Sequence, residues 1–382
     1  MFFSLRKISF PIVSLSVTIL CVPYVCEQYF SLGNYFVLPA LTIVVSCLSL
    51  FVHMIRTGGG YPKKNVEIIY LLVFLYLSVL LYGYYSFDIV AAYSLVLVLF
   101  YFVTIHKYKI EEIYFLLICY VLSAVILSVL LFLQLKMPYV GRVRFTVFFS
   151  ETEFYDANFL GSYLLLPTLL SFYFSWISPL KKKILLCICI VVNIILLAAI
   201  LATGSRAAMV GVLIGISPIL CDIMKKKKLI IVLVVIMAVA YIYLPEELLE
   251  RLFLNSYDDG SQSRRTDDWL YGLMAVGKYP IFGCGFSSTS TIIYRLFHVN
   301  ITAHNSFIAM FINWGFLGSI PLLYLLSRPL CKYRNCFLNT YLVSFYFAFI
   351  FNITIIEAIT SFVFIIPLIV FTIITQNKCA QI

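Results

Sequence analysis

The feature that most constrains this chain is its succession of apolar blocks, each roughly 17–22 residues long, which is the length that crosses a bilayer core as a helix. Hydrophobic residues make up 63% of the sequence and charged residues 12%, with a mean hydropathy of +1.03. A soluble domain carries about 25% charged residues. The ten-residue alternating segments that are typical of a transmembrane β-barrel are missing from the sequence. The sequence therefore predicts an all-α polytopic membrane protein.

The apolar blocks predict about twelve transmembrane helices in one integral membrane domain, 1–382. The first block is interpreted as an uncleaved span, because no clear signal-peptide cleavage site follows it. The predicted spans are 8–25, 35–52, 66–85, 88–105, 113–133, 157–177, 184–203, 207–224, 229–244, 305–326, 338–356 and 358–375. Two longer loops, 134–156 and 245–304, are expected outside the cytoplasm.

The basic residues orient the bundle. If both termini are cytoplasmic, 18 of the 27 basic residues fall on the cytoplasmic side, including the lysine runs 181–183 and 225–228. This bias explains the net charge of +10 without any nucleic-acid partner. The sequence therefore predicts cytoplasmic termini.

The loop 245–304 carries most of the polar chemistry of the chain. Residues 245–255 and 264–279 are predicted as amphipathic helices that could lie at the membrane surface, the second ended by Pro280. A turn is predicted at Gly283-Cys284-Gly285. The apolar side of the second helix is expected to carry Trp269, Leu270, Leu273, Met274 and Val276.

His304 and Asn305 stand where this loop meets the tenth apolar block. A helix N-terminus favours an anion and disfavours protonation of a nearby imidazole. His304 is therefore a candidate general base or phosphate donor, with helix capping as the structural alternative.

Arginines supply the candidate anion sites outside the membrane. Arg206 lies in a tight turn between two apolar blocks, where it could meet a substrate phosphate, a carboxylate or a lipid headgroup. Arg142 and Arg144 would point the same way in an extended segment. Arg264 and Arg265 form a further cluster, and the fixed fork of arginine suits phosphate oxygens. Asp156 could form a salt bridge or touch sugar hydroxyls, and Asp156 and Asn158 at the start of the sixth span could cap it.

Several kinds of chemistry lack sequence support. The sequence contains no phosphate-binding P-loop, no Asp-x-Asp pair and no cluster with metal-ligand spacing. Ionisable residues are also missing from the middle of the predicted spans, where an ion-coupled transporter usually keeps one. Nucleotide-driven chemistry at the inner face and ion-coupled transport therefore lack support in the sequence.

Four motifs together resemble the O-antigen polymerase and ligase superfamily of bacterial envelope polysaccharide synthesis. The resemblance covers about residues 150–325. The motifs are Asp156-Ala157-Asn158; Thr203-Gly204-Ser205-Arg206-Ala207; Arg265-x3-Trp269 followed by Pro280-x-x-Gly283-x-Gly285; and His304-Asn305-x9-Gly315-x-x-Gly318.

The resemblance implies a metal-independent membrane glycosyltransferase with a GT-C-like fold in the bacterial inner membrane. Its donor and acceptor would be oligosaccharides on undecaprenyl diphosphate at the outer face, with membrane lipid as a further partner and a chain-length regulator protein as a candidate partner. No cofactor would be needed. By motif, Arg206, Arg265 and His304 would act on the diphosphate or the reacting centre, with Asn305 beside them. Arg142 and Arg144 would join them by position alone.

The superfamily has two main activities, which are polymerisation of repeat units and ligation of the glycan to lipid A–core. The segments Phe282–Phe286 and Tyr155–Asn158 look more like those of polymerases. We therefore expect a polymerase, with a ligase as the alternative and a lipid-linked oligosaccharide flippase as a third interpretation.

Overall fold

The computed structural model describes residues 8–21, 38–57, 65–82, 85–135, 144–148, 156–176, 183–224, 261–332, 339–358 and 361–376. Within these ranges the regular structure is helical, and no β-strand longer than an isolated bridge occurs. The helices are α1 Phe10–Cys21, α2 Leu38–Arg56, α3 Val66–Tyr82, α4 Phe87–Ile105, α5 Ile110–Gln134, α6 Ala157–Trp176, α7 Lys183–Thr203, α8 Arg206–Met224, α9 Ser261–Lys278, α10 Thr289–Phe297, α11 Ser306–Lys332, α12 Asn339–Ile353 and α13 Phe362–Gln376.

The predicted helical membrane class is confirmed. Among the described residues, four helices are long and apolar enough to cross a membrane, namely α4, α5, α6 and α11. Shorter apolar helices fall at α1, α2, α3, α7, α12 and α13. The ninth predicted span, 229–244, and the helix predicted at 245–255 lie outside the described residues. The count of twelve spans and the GT-C-like fold stay predictions.

The chain divides into two compact units, each assembled from separated stretches. The first comprises Met1–Ser123, Ser263–Phe337 and Ile353–Ile382, and the second comprises Ala124–Gln262 and Leu338–Asn352. The sequence-based expectation of one integral membrane domain stays a prediction.

A buried aromatic cluster lies in the first unit. The ring centroids of Phe286 and Trp314 are 4.7 Å apart, and Tyr93 lies 5.1 Å from Trp314 and 5.6 Å from Phe286. All three pairs meet edge to face, an arrangement that stabilises a pair by about 0.5–1.5 kcal/mol beyond the burial of its surface. The cluster therefore joins α4 and α11 to the loop before α10.

In the second unit, α6 packs against both α7 and α8. Most of α6 is buried, and Ser162 near its start donates a hydrogen bond to the side chain of Asn352 at the end of α12. A polar pair between helices satisfies groups that lipid could not. This packing brings the start of α6 beside the turn between α7 and α8.

Candidate functional site

The turn that carries Arg206 is a helix N-terminus in the second unit. Gly204 has a φ of 59°, and the Ser205 hydroxyl accepts a hydrogen bond from the amide of Ala208 at 3.4 Å. Ser205 is thus the cap of α8, and Arg206 is its first residue. Because Ser205 is fully buried while Arg206 is exposed, the turn presents a guanidinium beside the positive end of a helix.

Arg144 lies beneath this turn and is buried, at 8% exposure. Its Nε donates to the carbonyl oxygen of Thr203 at 3.2 Å, and an Nη donates to the side-chain oxygen of Asn158. Thr203 is the last residue of α7, so the guanidinium satisfies a carbonyl that the helix leaves open. Arg144 therefore joins α6 to the turn from inside the protein.

Asp156 and Asn158 open α6. The carboxylate of Asp156 accepts the amide of Asn158 at 2.7 Å, and its carbonyl accepts the amide of Leu160 at 3.0 Å, which confirms the predicted capping role. Gly161 follows in the same helix. A Cβ atom there would lie 2.9 Å from both Ser205 Cβ and Thr203 Oγ1, so glycine permits the close approach of α6.

The structure therefore brings Arg144, Asp156 and Asn158 to the turn of Arg206. Arg142 lies outside the described residues. Binding of diphosphate by any of these residues stays a prediction.

In the first unit, Asn305 and not His304 caps α11. The side-chain oxygen of Asn305 accepts the amides of Phe307 at 2.9 Å and Ile308 at 3.1 Å. His304 precedes the cap, is exposed, and has a φ of 45°. Left-handed backbone is uncommon for a residue other than glycine, and it persists where the surrounding structure imposes it. The imidazole is therefore carried on a constrained loop beside a helix N-terminus.

Residues 356–358 hold both ends of this loop. Oε2 of Glu357 accepts a hydrogen bond from the Thr289 hydroxyl at 2.6 Å, and Thr289 Oγ1 accepts the amide of Ala303 at 3.2 Å. On the other side of His304, the Ser306 hydroxyl donates to the carbonyl of Ile356 at 2.7 Å. The same hydroxyl accepts the amide of Ala358 at 2.9 Å.

Glu357 was missed by the sequence analysis, because it falls in a tight turn between two apolar blocks. Glu357 as a whole is partly exposed, and desolvation of its carboxyl group raises its pKa to about 7. Hydrogen bonds from Thr289 and from the backbone amides of Thr289 and Ala303 act in the opposite direction. A signal was available, since Glu357 is the only acidic residue after Asp268.

The two glycine motifs of the resemblance meet in the structure. At Gly315, with φ 54° and ψ −168°, α11 is kinked. The kink leaves the amide of Phe316 and the carbonyl of Ile312 without their usual helical partners. The loop before α10 binds both groups, because Phe316 N donates to Pro280 O at 2.8 Å and Cys284 N donates to Ile312 O at 2.6 Å. A Cβ at Gly283 would lie 2.5 Å from the carbonyl oxygen of Asn313. These glycines therefore join the loop to α11.

The helix predicted at 264–279 is confirmed as α9, and the predicted turn has positive φ at Gly283 and Gly285. The residues of the predicted apolar side are divided between packed and exposed positions. Trp269 and Val276 pack on a buried cluster of Ala275, Cys284, Ile292, Ala303, Ile308 and Ile312. Leu270, Leu273 and Met274 are exposed instead. The sequence analysis missed α10, which supplies Ile292 to this cluster.

Arg265 is partly exposed on α9. No group of three or more metal-ligating side chains occurs among the described residues, and the absence of a metal stays a prediction.

Comparison with known proteins finds one family. Residues 191–323 match the family model of the O-antigen ligases. The matched stretch includes Arg206, Arg265, His304 and Asn305, and it confirms the resemblance to the O-antigen polymerase and ligase superfamily. No curated protein and no solved structure matches the chain significantly.

Proposed function

We propose that this protein polymerises undecaprenyl-diphosphate-linked oligosaccharide repeat units into O-antigen or capsular polysaccharide at the outer face of the bacterial inner membrane. The observation that carries the proposal is the family match over 191–323, which contains Arg206, Arg265 and His304. Arg206 and His304 are both exposed beside the start of a helix, where an anion is favoured. The positive-inside bias supports the orientation, with both termini cytoplasmic.

The reaction is a substitution at the anomeric carbon of the donor sugar. A hydroxyl oxygen of the acceptor forms the new glycosidic bond, and the bond to the diphosphate oxygen breaks, so that undecaprenyl diphosphate leaves. Arg206 and Arg265 are proposed to stabilise the charge that develops on this leaving group. His304 either takes the proton of the attacking hydroxyl or donates a hydrogen bond to phosphate, in which case the proton passes to solvent.

O-antigen ligation is the second candidate, because the matching family model is that of the O-antigen ligases. A ligase would use the same donor and leaving group but would transfer the glycan to lipid A–core. The resemblance of the segments Phe282–Phe286 and Tyr155–Asn158 to those of polymerases favours polymerisation.

Deletion of the gene, followed by gel analysis of surface polysaccharide, separates the two activities. Loss of a polymerase leaves a single repeat unit on the core, whereas loss of a ligase leaves none and retains long chains on the lipid carrier. Unchanged polysaccharide in the deletion strain would refute both.

A further inference from the structure

The connection between α12 and α13 carries a carboxylate that the proposed reaction does not use. Glu357 accepts hydrogen bonds from the Thr289 hydroxyl, at 2.6 Å, and from the backbone amides of Thr289 and Ala303. Thr289 is fully buried at the start of α10. A desolvated carboxyl group that accepts hydrogen bonds is a strong local constraint, because breaking them leaves polar groups unsatisfied away from water.

This constraint reaches the residue before His304 by a chain of hydrogen bonds. The Ala303 amide donates to Thr289 Oγ1 at 3.2 Å, and the same hydroxyl donates its own proton to Glu357. Donors and acceptors that follow one another in this way polarise and strengthen each other. Ala303 is fully buried, so the backbone is fixed immediately before the exposed imidazole.

The backbone after His304 is fixed by the same segment. Ser306 bonds to the backbone of Ile356 and Ala358, the two neighbours of Glu357. His304 thus stands between two attachments to residues 356–358 and adopts its left-handed φ of 45° there. None of these hydrogen bonds involves the imidazole itself, so they affect His304 by positioning its backbone.

We propose that Glu357 is a positioning residue, which acts through Thr289 to hold His304 in the orientation needed for glycosyl transfer. This proposal rests on the proposed function, because it assigns His304 a place at the reacting centre. It adds a residue beyond the matched stretch 191–323.

The test compares variants of Thr289 and Glu357 in the purified full-length protein with lipid-linked repeat unit as substrate. Thr289→Val keeps the side-chain shape but removes the hydroxyl, and Thr289→Ser keeps the hydroxyl. Glu357→Gln keeps the size but replaces one acceptor oxygen with an amide that can only donate, so the donors to Glu357 cannot all be satisfied. Thr291→Val is the matched control, because its hydroxyl lies on the same helix and contacts Ser288 instead.

We expect Thr289→Val and Glu357→Gln to lower kcat about tenfold or more, since small displacements of a reacting group cost up to about a hundredfold. The donor KM should stay within about twofold. Thr289→Ser should recover most of the rate, and Thr291→Val should match the wild type. The double variant Thr289→Val/Glu357→Gln should lose little more than either single variant, because both changes break one chain of bonds.

Hydrogen–deuterium exchange provides a readout independent of turnover. Amides of residues 303–306 should exchange faster in Thr289→Val than in Thr291→Val at matched thermal stability. Wild-type kcat in both Thr289→Val and Glu357→Gln overturns the proposal, even if exchange is faster. A change in KM alone overturns it as well.

If Thr289→Val does not fold, the kcat values of Glu357→Gln and Thr289→Ser still test the proposal. The proposed function fails separately, if His304→Ala transfers sugar at the wild-type rate. An inactive His304→Ala together with a fully active Thr289→Val and Glu357→Gln would refute only the positioning role.

Discussion

The turn of Arg206 and the loop of His304 have a similar arrangement, but the residue that supports the turn is basic and the residue that supports the loop is acidic. Each presents an exposed side chain at the start of a helix, and each is supported by an ionisable residue from another segment of the chain. Arg144 binds the carbonyl of Thr203 behind Arg206, whereas Glu357 binds the hydroxyl of Thr289 behind the loop of His304.

The two supporting residues differ in whether their charge changes near neutral pH. Arginine stays protonated at any pH that the protein meets. The pKa of Glu357 is raised to about 7 by burial, so its charge changes in the physiological range. The turn of Arg206 is therefore expected to be insensitive to pH, and the loop of His304 is not.

The largest expected effect separates the two roles of His304. If the imidazole is the general base, His304→Gln should lower the rate about 10²–10⁴-fold with donor binding preserved, because an amide cannot take the proton. If the imidazole only donates to phosphate, His304→Gln should retain substantial activity and His304→Ala should weaken donor binding. The measurement is turnover and donor affinity of the purified variants. Wild-type rates in both variants would remove His304 from the site.

Arg206 is expected to act in binding without contributing to stability. Arg206→Ala should lower the rate of transfer about ten- to hundredfold, because a charged hydrogen bond contributes roughly 1.5–3 kcal/mol. Arg206→Lys should recover only part of the rate, because a point charge cannot reproduce the guanidinium fork. The thermal midpoint should not move, since the side chain is exposed. Full activity of Arg206→Ala at matched protein level would leave the lipid-headgroup interpretation.

Arg144 is expected to show the reverse pattern. Arg144→Met leaves the buried carbonyl of Thr203 without this donor, and an unsatisfied buried group costs about 1–3 kcal/mol. It also removes the hydrogen bond to the partly buried Asn158. Thermal unfolding in detergent should therefore shift by several degrees. Arg206→Met is the control, with the same change at an exposed position. Equal midpoints for both variants would contradict a structural role for Arg144.

The smallest effect concerns pH. The pKa of Glu357 is about 7 in the folded protein, against an ordinary value of 4.5, so in that window the folded protein holds a proton that the unfolded chain releases. The free energy of unfolding should therefore fall as pH rises from about 4.5 to about 7. Glu357→Gln should flatten the dependence of thermal stability on pH, and an unchanged slope would show that other groups cause it.

Local sequence patterns predicted much of the site. Pro280 ends α9 because proline cannot continue a helix, and Asp156 caps α6 because its carboxylate can accept a free amide. His304 and Asn305 were correctly placed at a helix start. Only the side-chain geometry showed which of the two residues caps the helix.

The sequence by itself determined the membrane class, the helix limits near capping and breaking residues, and the resemblance to the O-antigen polymerases and ligases, because all of these are written in neighbouring residues. Only the tertiary structure decided that Arg144 is buried beneath the turn of Arg206, that Gly283 meets the kink at Gly315, and that Glu357 holds the loop of His304. Each of these contacts joins residues far apart in the chain. A hydrophobic period or a capping motif records the environment of a residue along its own helix, but it does not record which distant segment packs against that helix.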